Sequence, residues 1–227
     1  MNLPEAPKNR RAFLGGLGLS AAALTLPGCA SYGGFSFAEA IRRLLTLSSE
    51  RAFGRLLAEN GFYESQVARL QLDDFLGARG GILASILTSS LMKERLYRGL
   101  ADVAEVGAER AAPVIADTIR VVGIENAVAL VSGKPTAATS FLRSSMGSRL
   151  VDVMVPEIGD ALDIVEDPVV GSALSALTGT NLSNVVHGLT DVAEETIWTE
   201  IGNEERYLRE NPGVTNDPVL IGVFGVA

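Results

Sequence analysis

The chain contains 227 residues, of which 47% are hydrophobic, 20% charged and 6% aromatic, and its formal net charge at pH 7 is −8. A chain of this length buries enough apolar surface to fold as one domain, and its composition is typical of a helical globular protein. Cys29 is the only cysteine, which excludes an intramolecular disulfide.

The charge is unevenly spread along the chain. From Asp152 to the C-terminus there are 14 acidic residues against only two basic ones, Arg206 and Arg209, whereas residues 30–151 carry a net charge of +2. Nucleic-acid binding requires a basic face, so this distribution argues against a nucleic-acid partner. The acidic half is more simply interpreted as a solvated surface than as a dedicated binding face.

Residues 1–28 have the pattern of a bacterial export signal. Arg10 and Arg11 precede Phe13 and a weakly apolar segment, an arrangement typical of the twin-arginine route. The same residues would also serve as the basic region of a general secretory signal, which is the alternative.

The apolar segment ends at Leu26-Pro27-Gly28-Cys29, which resembles the box where bacterial lipoproteins are acylated on the cysteine and cleaved before it. Residues 12–38 are uncharged and long enough for a transmembrane anchor, which needs ~20 apolar residues, but Pro27 and Gly28 interrupt them. Cleavage and acylation at Cys29 are therefore favoured over a membrane-spanning helix.

This interpretation divides the chain into a signal peptide at 1–28, a lipid-anchored tether at 29–35 and a helical domain at 36–227. Because Ala30 rather than an aspartate follows Cys29, we expect sorting to the periplasmic leaflet of the outer membrane, with the periplasm as the alternative location.

The first half of the domain is predicted to contain several helices. Ser36 and Glu39 have capping-box spacing, so the first helix should begin there and end at Asn60-Gly61. Residues 62–72 fit both a helix and a short strand, with the helix favoured. The uncharged stretch 80–92 is too short to span a membrane and is predicted to be a buried helix.

The strongest helical periodicity runs from Lys93 to Val122. A stripe of alanine and glycine on this helix allows a close helix crossing, and Pro113 should kink or split it. A short helix is predicted at 124–131, and a longer one from 136 to about 165 with a second kink at Pro156.

Asp167 and Asp217 each precede a proline, which is the signal of a helix start, and residues 183–209 are predicted to form one or two further helices. No internal repeat or linker interrupts these elements. The sequence thus predicts an all-α fold, a single helical-bundle domain with kinked long helices.

The sequence contains no complete catalytic or metal-binding motif. Ser132-Gly133-Lys134 resembles part of a phosphate-binding loop, but Val128 and Pro135 stand where that motif requires glycine and a hydroxyl residue. His187, the only histidine, lies in an apolar helical segment, where a partly buried packing role is expected.

A group of four acidic residues is more typical of a solvated helix face than of a weak site for a hard cation such as calcium. Its members are Asp160, Asp163, Glu166 and Asp167. We predict no catalytic residue, no cofactor and no metal.

The C-terminal run 204–210 contains three acids and two bases within one to five residues of each other. We predict that Arg209 forms a structural ion pair with Glu109 on the long helix, which would fasten the C-terminus to that helix.

From about Phe37 to Gly225 the chain resembles the bacterial family of unknown function numbered 4197. The resemblance implies export and a helical domain, and no activity. The sequence departs from the expected pattern at Asn126, where an acid is expected, and at Val214, where an arginine is expected. The runs that carry the resemblance are Asn60-Gly61-Phe62, Glu109-Arg110-Ala111-Ala112-Pro113, Asp117-Thr118-Ile119, Ile124-Glu125-Asn126-Ala127, Ala137-Ala138-Thr139-Ser140-Phe141-Leu142, Glu204-Glu205-Arg206-Tyr207-Leu208-Arg209-Glu210-Asn211-Pro212 and Val223-Phe224-Gly225.

Two classes of function are open. The favoured one is a non-enzymatic envelope lipoprotein, attached to the membrane through Cys29, that binds an envelope protein or carries an apolar ligand. The other is an enzyme built from carboxylate and arginine groups. We also expect the first helix, with its four arginines, to lie near anionic lipid and the acidic segment to face the periplasm.

Overall fold

The computed structural model describes residues 31–32, 35–83, 87, 89–164, 167–178 and 182–225. The predicted signal at 1–28 and Cys29 lie outside these residues. Within them the protein is all-α apart from one small hairpin, in which Ser31–Tyr32 (β1) pairs antiparallel with Phe35–Ser36 (β2). The predicted fold class is confirmed. No helix among the described residues is long and apolar enough to cross a membrane.

The described chain also contains eleven α-helices and one 3-10 helix, Pro212–Thr215. The α-helices are α1 Phe37–Leu56, α2 Gly61–Glu64, α3 Gln66–Gly77, α4 Gly80–Leu83, α5 Ser90–Val121, α6 Ala127–Val131, α7 Ala137–Met146, α8 Arg149–Asp163, α9 Pro168–Thr178, α10 Leu182–Glu210 and α11 Pro218–Phe224.

The two longest helices, α5 and α10, form the centre of the bundle. Helix α5 packs against α8, α1 and α10, and α10 packs in turn against α1, α3 and α8. Their buried apolar side chains belong to one continuous core cluster. Pro113 lies on the exposed side of α5 and does not split it, so of the two predicted outcomes the split is excluded.

Close helix crossings depend on glycine at several positions, including Gly107 and Gly188. A Cβ atom at Gly107 would lie 2.7 Å from Cδ1 of Ile158, so α5 and α8 approach closely only because no side chain intervenes. This confirms the crossing predicted from the alanine and glycine stripe. A second crossing, not predicted, brings Gly188 of α10 against the ring of Phe75 in α3.

Two predicted helices differ from those observed. Residues 136–165 form α7 and α8 rather than one kinked helix, because Gly147 adopts a positive φ of 56° that ends α7. The stretch 80–92 is likewise not one buried helix. The hydroxyl of Ser89 accepts a hydrogen bond from the N–H of Met92 and so begins α5 there, and Leu91 is 69% exposed.

The predicted helix starts are confirmed by their hydrogen bonds. The side chain of Ser36 accepts from the N–H of Glu39, and those of Asp167 and Asp217 accept from backbone N–H groups in the first turns of α9 and α11. The capping box is only half formed, because the carboxylate of Glu39 instead binds Arg43 at 2.8 Å.

Candidate functional site

The most deeply buried charge in the described chain is the carboxylate of Glu205, whose side chain is 0% exposed. Its Oε1 accepts from the N–H of Ala138 at 3.0 Å, and its Oε2 accepts from the N–H and hydroxyl of Thr139 at 2.7 and 2.6 Å. The capping residue of α7, Thr136, supplies no side-chain bond, so Glu205 provides the anion at that helix N-terminus.

The guanidinium of Arg209, one helical turn further along α10, neutralises Glu205. Its Nε lies 2.8 Å from Oε1 of Glu205, and its two terminal nitrogens each donate at 2.9 Å to the carbonyls of Leu130 and Val131. The carbon at its centre also lies 4.8 Å from the centroid of the Phe224 ring. Arg209 thus joins α10 to α6 and α11, and all three nitrogens of its guanidinium donate hydrogen bonds.

These contacts correct the predicted partner of Arg209. The structure does not bring Arg209 to Glu109, which is exposed on α5, and places Glu205 against it instead. The physical reason is spacing: Glu205 and Arg209 are four residues apart on one helix, so their side chains share a face. Through the contacts of Glu205 and Arg209, the end of α10 is fastened to α6, α7 and α11 and not to Glu109 of α5.

Glu204 points to the other side of α10, toward α1, where it forms ion pairs with Arg51, at 2.6 Å, and with Arg55. The contact with Arg51 is an ion pair without hydrogen-bond alignment at Oε2. Partial burial acts to lower the pKa of Arg55, but its bonds to Glu204 and then to Glu200 outweigh this and raise the pKa.

Three of the four arginines of α1, all but Arg42, are therefore paired with acids of the C-terminal segment. Besides the bonds to Glu204 and Glu200, Arg43 lies 3.0 Å from Asp217. Burial acts to raise the pKa of Asp217, but hydrogen bonds from Arg43 and from the first turn of α11 lower it overall. The acidic segment packs on α1 and shares its charge with it, while the expected orientation of the domain at a membrane stays a prediction.

A polar cleft of about 220 Å³ opens between α7 and α10, directly outside the Glu205 cluster. Arg143 and Arg206 line it together with hydroxyl and amide side chains and the indole of Trp198, and none of its described lining residues is acidic. Arg143 is held from behind by Glu194 and Glu195 at 3.0 and 2.9 Å, whereas Arg206 contacts only the amide oxygen of Asn203 in the contacts described, at 3.4 Å.

A larger groove, of about 690 Å³, lies between the start of α1 and α6. Most of its lining is apolar, and the remainder is Ser36, Glu125, Asn126 and Ser132. Its volume falls in the range of small-ligand sites, ~300–1,000 Å³. The apolar lining residues are Phe37, Ala38, Ile124, Ala127, Val128 and Ala129.

Two arginines hold the outer wall of this groove in place. Arg42 donates to the carbonyls of Ile119 and Val122 at 3.4 Å, at the end of α5, and Arg209 holds the last carbonyls of α6. No residue of α6 is fully buried, so hydrogen bonds to main-chain carbonyls hold this helix against the domain, whereas apolar packing holds the longer helices.

A row of carboxylates follows one face of α5. Burial raises the pKa of Asp102, opposed by Arg98. Burial also raises the pKa of Glu105, and the charges of Asp102 and Glu109 raise it further. Glu109, the predicted partner of Arg209, thus acts on Glu105 instead.

The remaining sequence candidates lie apart from these sites. His187 is exposed on α10 and does not have the predicted partly buried position. In the part of the chain that the structure describes, no group of three or more His, Cys, Asp or Glu side chains is placed to hold a metal ion, and Glu166 lies outside that part.

The family described as "Protein of unknown function (DUF4197)" matches residues 31–225. The chain belongs to this family. No curated protein and no solved structure matches it. The resemblance found in the sequence is therefore confirmed.

The family description assigns no activity, so the sites themselves must carry the functional argument. Two of the runs that carry the family resemblance, 137–142 and 204–212, meet at the bond between Thr139 and Glu205. Of the two departures from the family pattern, Asn126 lines the groove and Val214 is 46% exposed in the 3-10 helix.

Sequence reasoning missed both Glu205 and Thr139. The four-residue spacing of Glu205 and Arg209 was a signal for their pairing. No signal in the sequence indicates that Thr136 leaves the start of α7 without a side-chain cap, which is why a glutamate from another helix is bound there.

Proposed function

We propose that this DUF4197 protein is a non-enzymatic envelope lipoprotein, exported by residues 1–28, acylated on Cys29 and sorted to the periplasmic leaflet of the outer membrane, where its helical domain binds a partner protein. The observation that carries the proposal is the order of sequence elements: a twin-arginine signal, a lipoprotein box ending at Cys29 and, only two residues later, the first strand of the domain at Ser31.

The state of the buried charges supports binding rather than catalysis. Glu205 and Arg209 make hydrogen bonds to two other helices, α7 and α6, and each of those bonds fixes backbone groups at a helix end. A catalytic carboxylate needs an atom that can reach substrate, and both oxygens of Glu205 are already engaged.

The cleft between α7 and α10 is the proposed site of partner recognition. Arg206 lies on its rim, and Arg206 and Arg209 are the only basic residues after Asp152. Since the side chain of Arg209 is only 9% exposed and is already bonded, Arg206 is the cation that this acidic half offers to a partner. A partner with a net positive charge would be attracted by the acidic surface and would place one carboxylate against Arg206.

Anchoring is tested by replacing Cys29 with serine in the full chain and following incorporation of labelled palmitate, membrane association and the mass of the mature N-terminus. We expect the wild type to be labelled at Cys29 and the variant to be unlabelled. Unlabelled wild type with a different mature N-terminus would contradict the proposal.

The export route is tested by replacing Arg10 and Arg11 together with lysine. This change should block export by the twin-arginine route, and unimpaired export would indicate the general route.

Partner binding is tested by photo-crosslinking in cells from a reactive amino acid placed at Asn203, in the cleft. We expect a discrete protein adduct that is lost in Arg206→Glu and kept in Arg95→Glu, a matched charge reversal at an exposed position of α5. An adduct that both variants retain, or that both lose, would show that Arg206 does not recognise the partner.

A further inference from the structure

We infer that the groove between α1 and α6 holds a fatty acyl chain, namely one of the acyl chains attached to the protein's own Cys29. This inference rests on acylation of Cys29, which the proposed function requires. The inference goes further than the proposed function, because it names the groove as a binding site and the acyl chain on Cys29 as its ligand.

The chain path brings the anchor to the groove. In the hairpin, Ser31 is the Cα partner of Ser36, and Ser36 lines the groove. Only two steps of the chain separate Cys29 from Ser31, a reach of at most ~7 Å. Paired Cα atoms of an antiparallel hairpin lie ~5 Å apart, so the chain between Cys29 and Ser31 limits the attachment point of an acyl group to within ~12 Å of Ser36.

The chemistry of the groove suits a hydrocarbon chain. Phe37 and Ala38 form the side contributed by α1, and Ile124, Ala127 and Val128 form the opposite side. Val128 remains 51% exposed. Burying this apolar surface against an alkyl chain removes both from water, which is the dominant favourable term in such association.

The wall that faces α1 is fixed in position before any ligand arrives. The bonds of Arg42 and Arg209 to main-chain carbonyls hold the ends of the segment that carries α6. A preformed groove costs less ordering on binding than a flexible one. Tethering lowers the cost further, because a ligand attached through a short linker has an effective concentration in the millimolar range.

The experiment uses a photo-crosslinking amino acid in place of Val128 in the full chain. The acylated protein is purified, reconstituted in vesicles of phosphatidylethanolamine and phosphatidylglycerol, irradiated and digested, and the adducts are identified by mass. We expect an adduct that joins the peptide containing residue 128 to the acylated Cys29 peptide of the same molecule.

Ile164 is the matched control position. It is 77% exposed and follows α8 in the chain. The next helix, α9, packs near the start of α5, where Val170 contacts Gly99, whereas the groove lies beyond the other end of α5. Gly99 is 22 residues before Val121, which corresponds to ~33 Å along α5. We expect the intramolecular adduct to be at least about tenfold more abundant from residue 128 than from residue 164.

Each other outcome overturns the inference in a distinct way. Adducts from residue 128 to phospholipid would show that this face lies on the bilayer, and adducts to a second protein would make the groove a partner site. Equal yields from residues 128 and 164 would show that the chain does not occupy the groove. A mass without acyl groups at Cys29 would instead reject the proposed function, and Cys29→Ser gives the reference for that case.

Discussion

Glu204 and Glu205 are neighbours in the sequence, yet they face opposite sides of α10 and meet different environments. Glu205 is fully buried and bonded to the backbone of α7, whereas Glu204 pairs with two arginines of α1 whose side chains are 37% and 53% exposed. Glu205 caps the N-terminus of α7 inside the protein, and Glu204 forms ion pairs with two partly exposed arginines.

The two sides have the same carboxylate charge but different partners, so the partners should decide how much each carboxylate contributes to the free energy of unfolding. Solvent-exposed arginines give a weak, screened attraction, while a dry pair with main-chain donors leaves an uncompensated charge when it is broken. The Glu205 side is therefore expected to dominate the free energy of unfolding, and the Glu204 side to respond to salt.

The largest effect is expected from Glu205→Gln. It removes the charge that neutralises Arg209 and places the amide NH2 against the N–H of either Ala138 or Thr139, so the free energy of unfolding should fall by about 3 kcal/mol or more. Urea denaturation of the domain measures the change. Glu210→Gln, an exposed glutamate on the same helix, is the control and should stay within ~0.5 kcal/mol of wild type.

Arg209→Ala should be the next most damaging change, with a loss of over ~2 kcal/mol. The loss is smaller than for Glu205→Gln, because Glu205 keeps its three donors from Ala138 and Thr139. Arg206→Ala, an exposed neighbour, serves as the control. A loss of half a kilocalorie or less would mean that the bonds to α6 contribute nothing to stability.

The double substitution of Glu205 and Arg209 tests whether the two act as one unit. Residues in direct contact couple by ~0.5–3 kcal/mol, so the double variant should lose less than the sum of the single losses. Strict additivity would show that Glu205 serves only as the cap of α7, independently of Arg209.

The sequence predicted the fold class, the helix starts at Ser36, Asp167 and Asp217, and the close crossing at Gly107, because each depends on local chemistry or on helical period. It did not predict the break at Gly147, where a single positive φ ends α7. It also did not predict which acids face α1, because that depends on how α10 is rotated about its axis in the packed bundle.

The ion pairs between α1 and the acidic segment were not predicted, for the same reason. Summed along the sequence, the acidic segment and the first helix look like separate charged regions. In the fold, α10 and α11 lie against α1, and Glu200, Glu204 and Asp217 pair with three of its four arginines. Net charge over a stretch of sequence therefore says little about the field at a surface when the two stretches pack together.

Glu204→Gln and Glu205→Gln should differ in how their losses of stability depend on salt concentration. For Glu204→Gln we expect a loss of about 1 kcal/mol at low ionic strength that shrinks toward zero near 1 M salt, where the Debye length is ~3 Å. The loss caused by Glu205→Gln should change little over the same range, because water and ions do not reach that site. Equal salt dependence of the two losses would show that the exposure of the arginine partners does not decide the response to salt.

The smallest expected effect is a gain, from Glu105→Gln on α5. Burial raises the pKa of Glu105, and the charges of Asp102 and Glu109 raise it further, so the native state binds a proton more tightly than the unfolded chain does. The ionised side chain therefore costs stability above its folded pKa, and that cost disappears as the pH falls below the unfolded value of about 4.3. Relief of like charges on a solvated helix face is worth no more than ~0.5 kcal/mol. Thermal melts of the domain should show Glu105→Gln slightly more stable than wild type at pH 7 and equal to it near pH 4. An advantage that grows on acidification would reverse the sign and would mean that Glu105 makes a favourable charged contact in the folded protein.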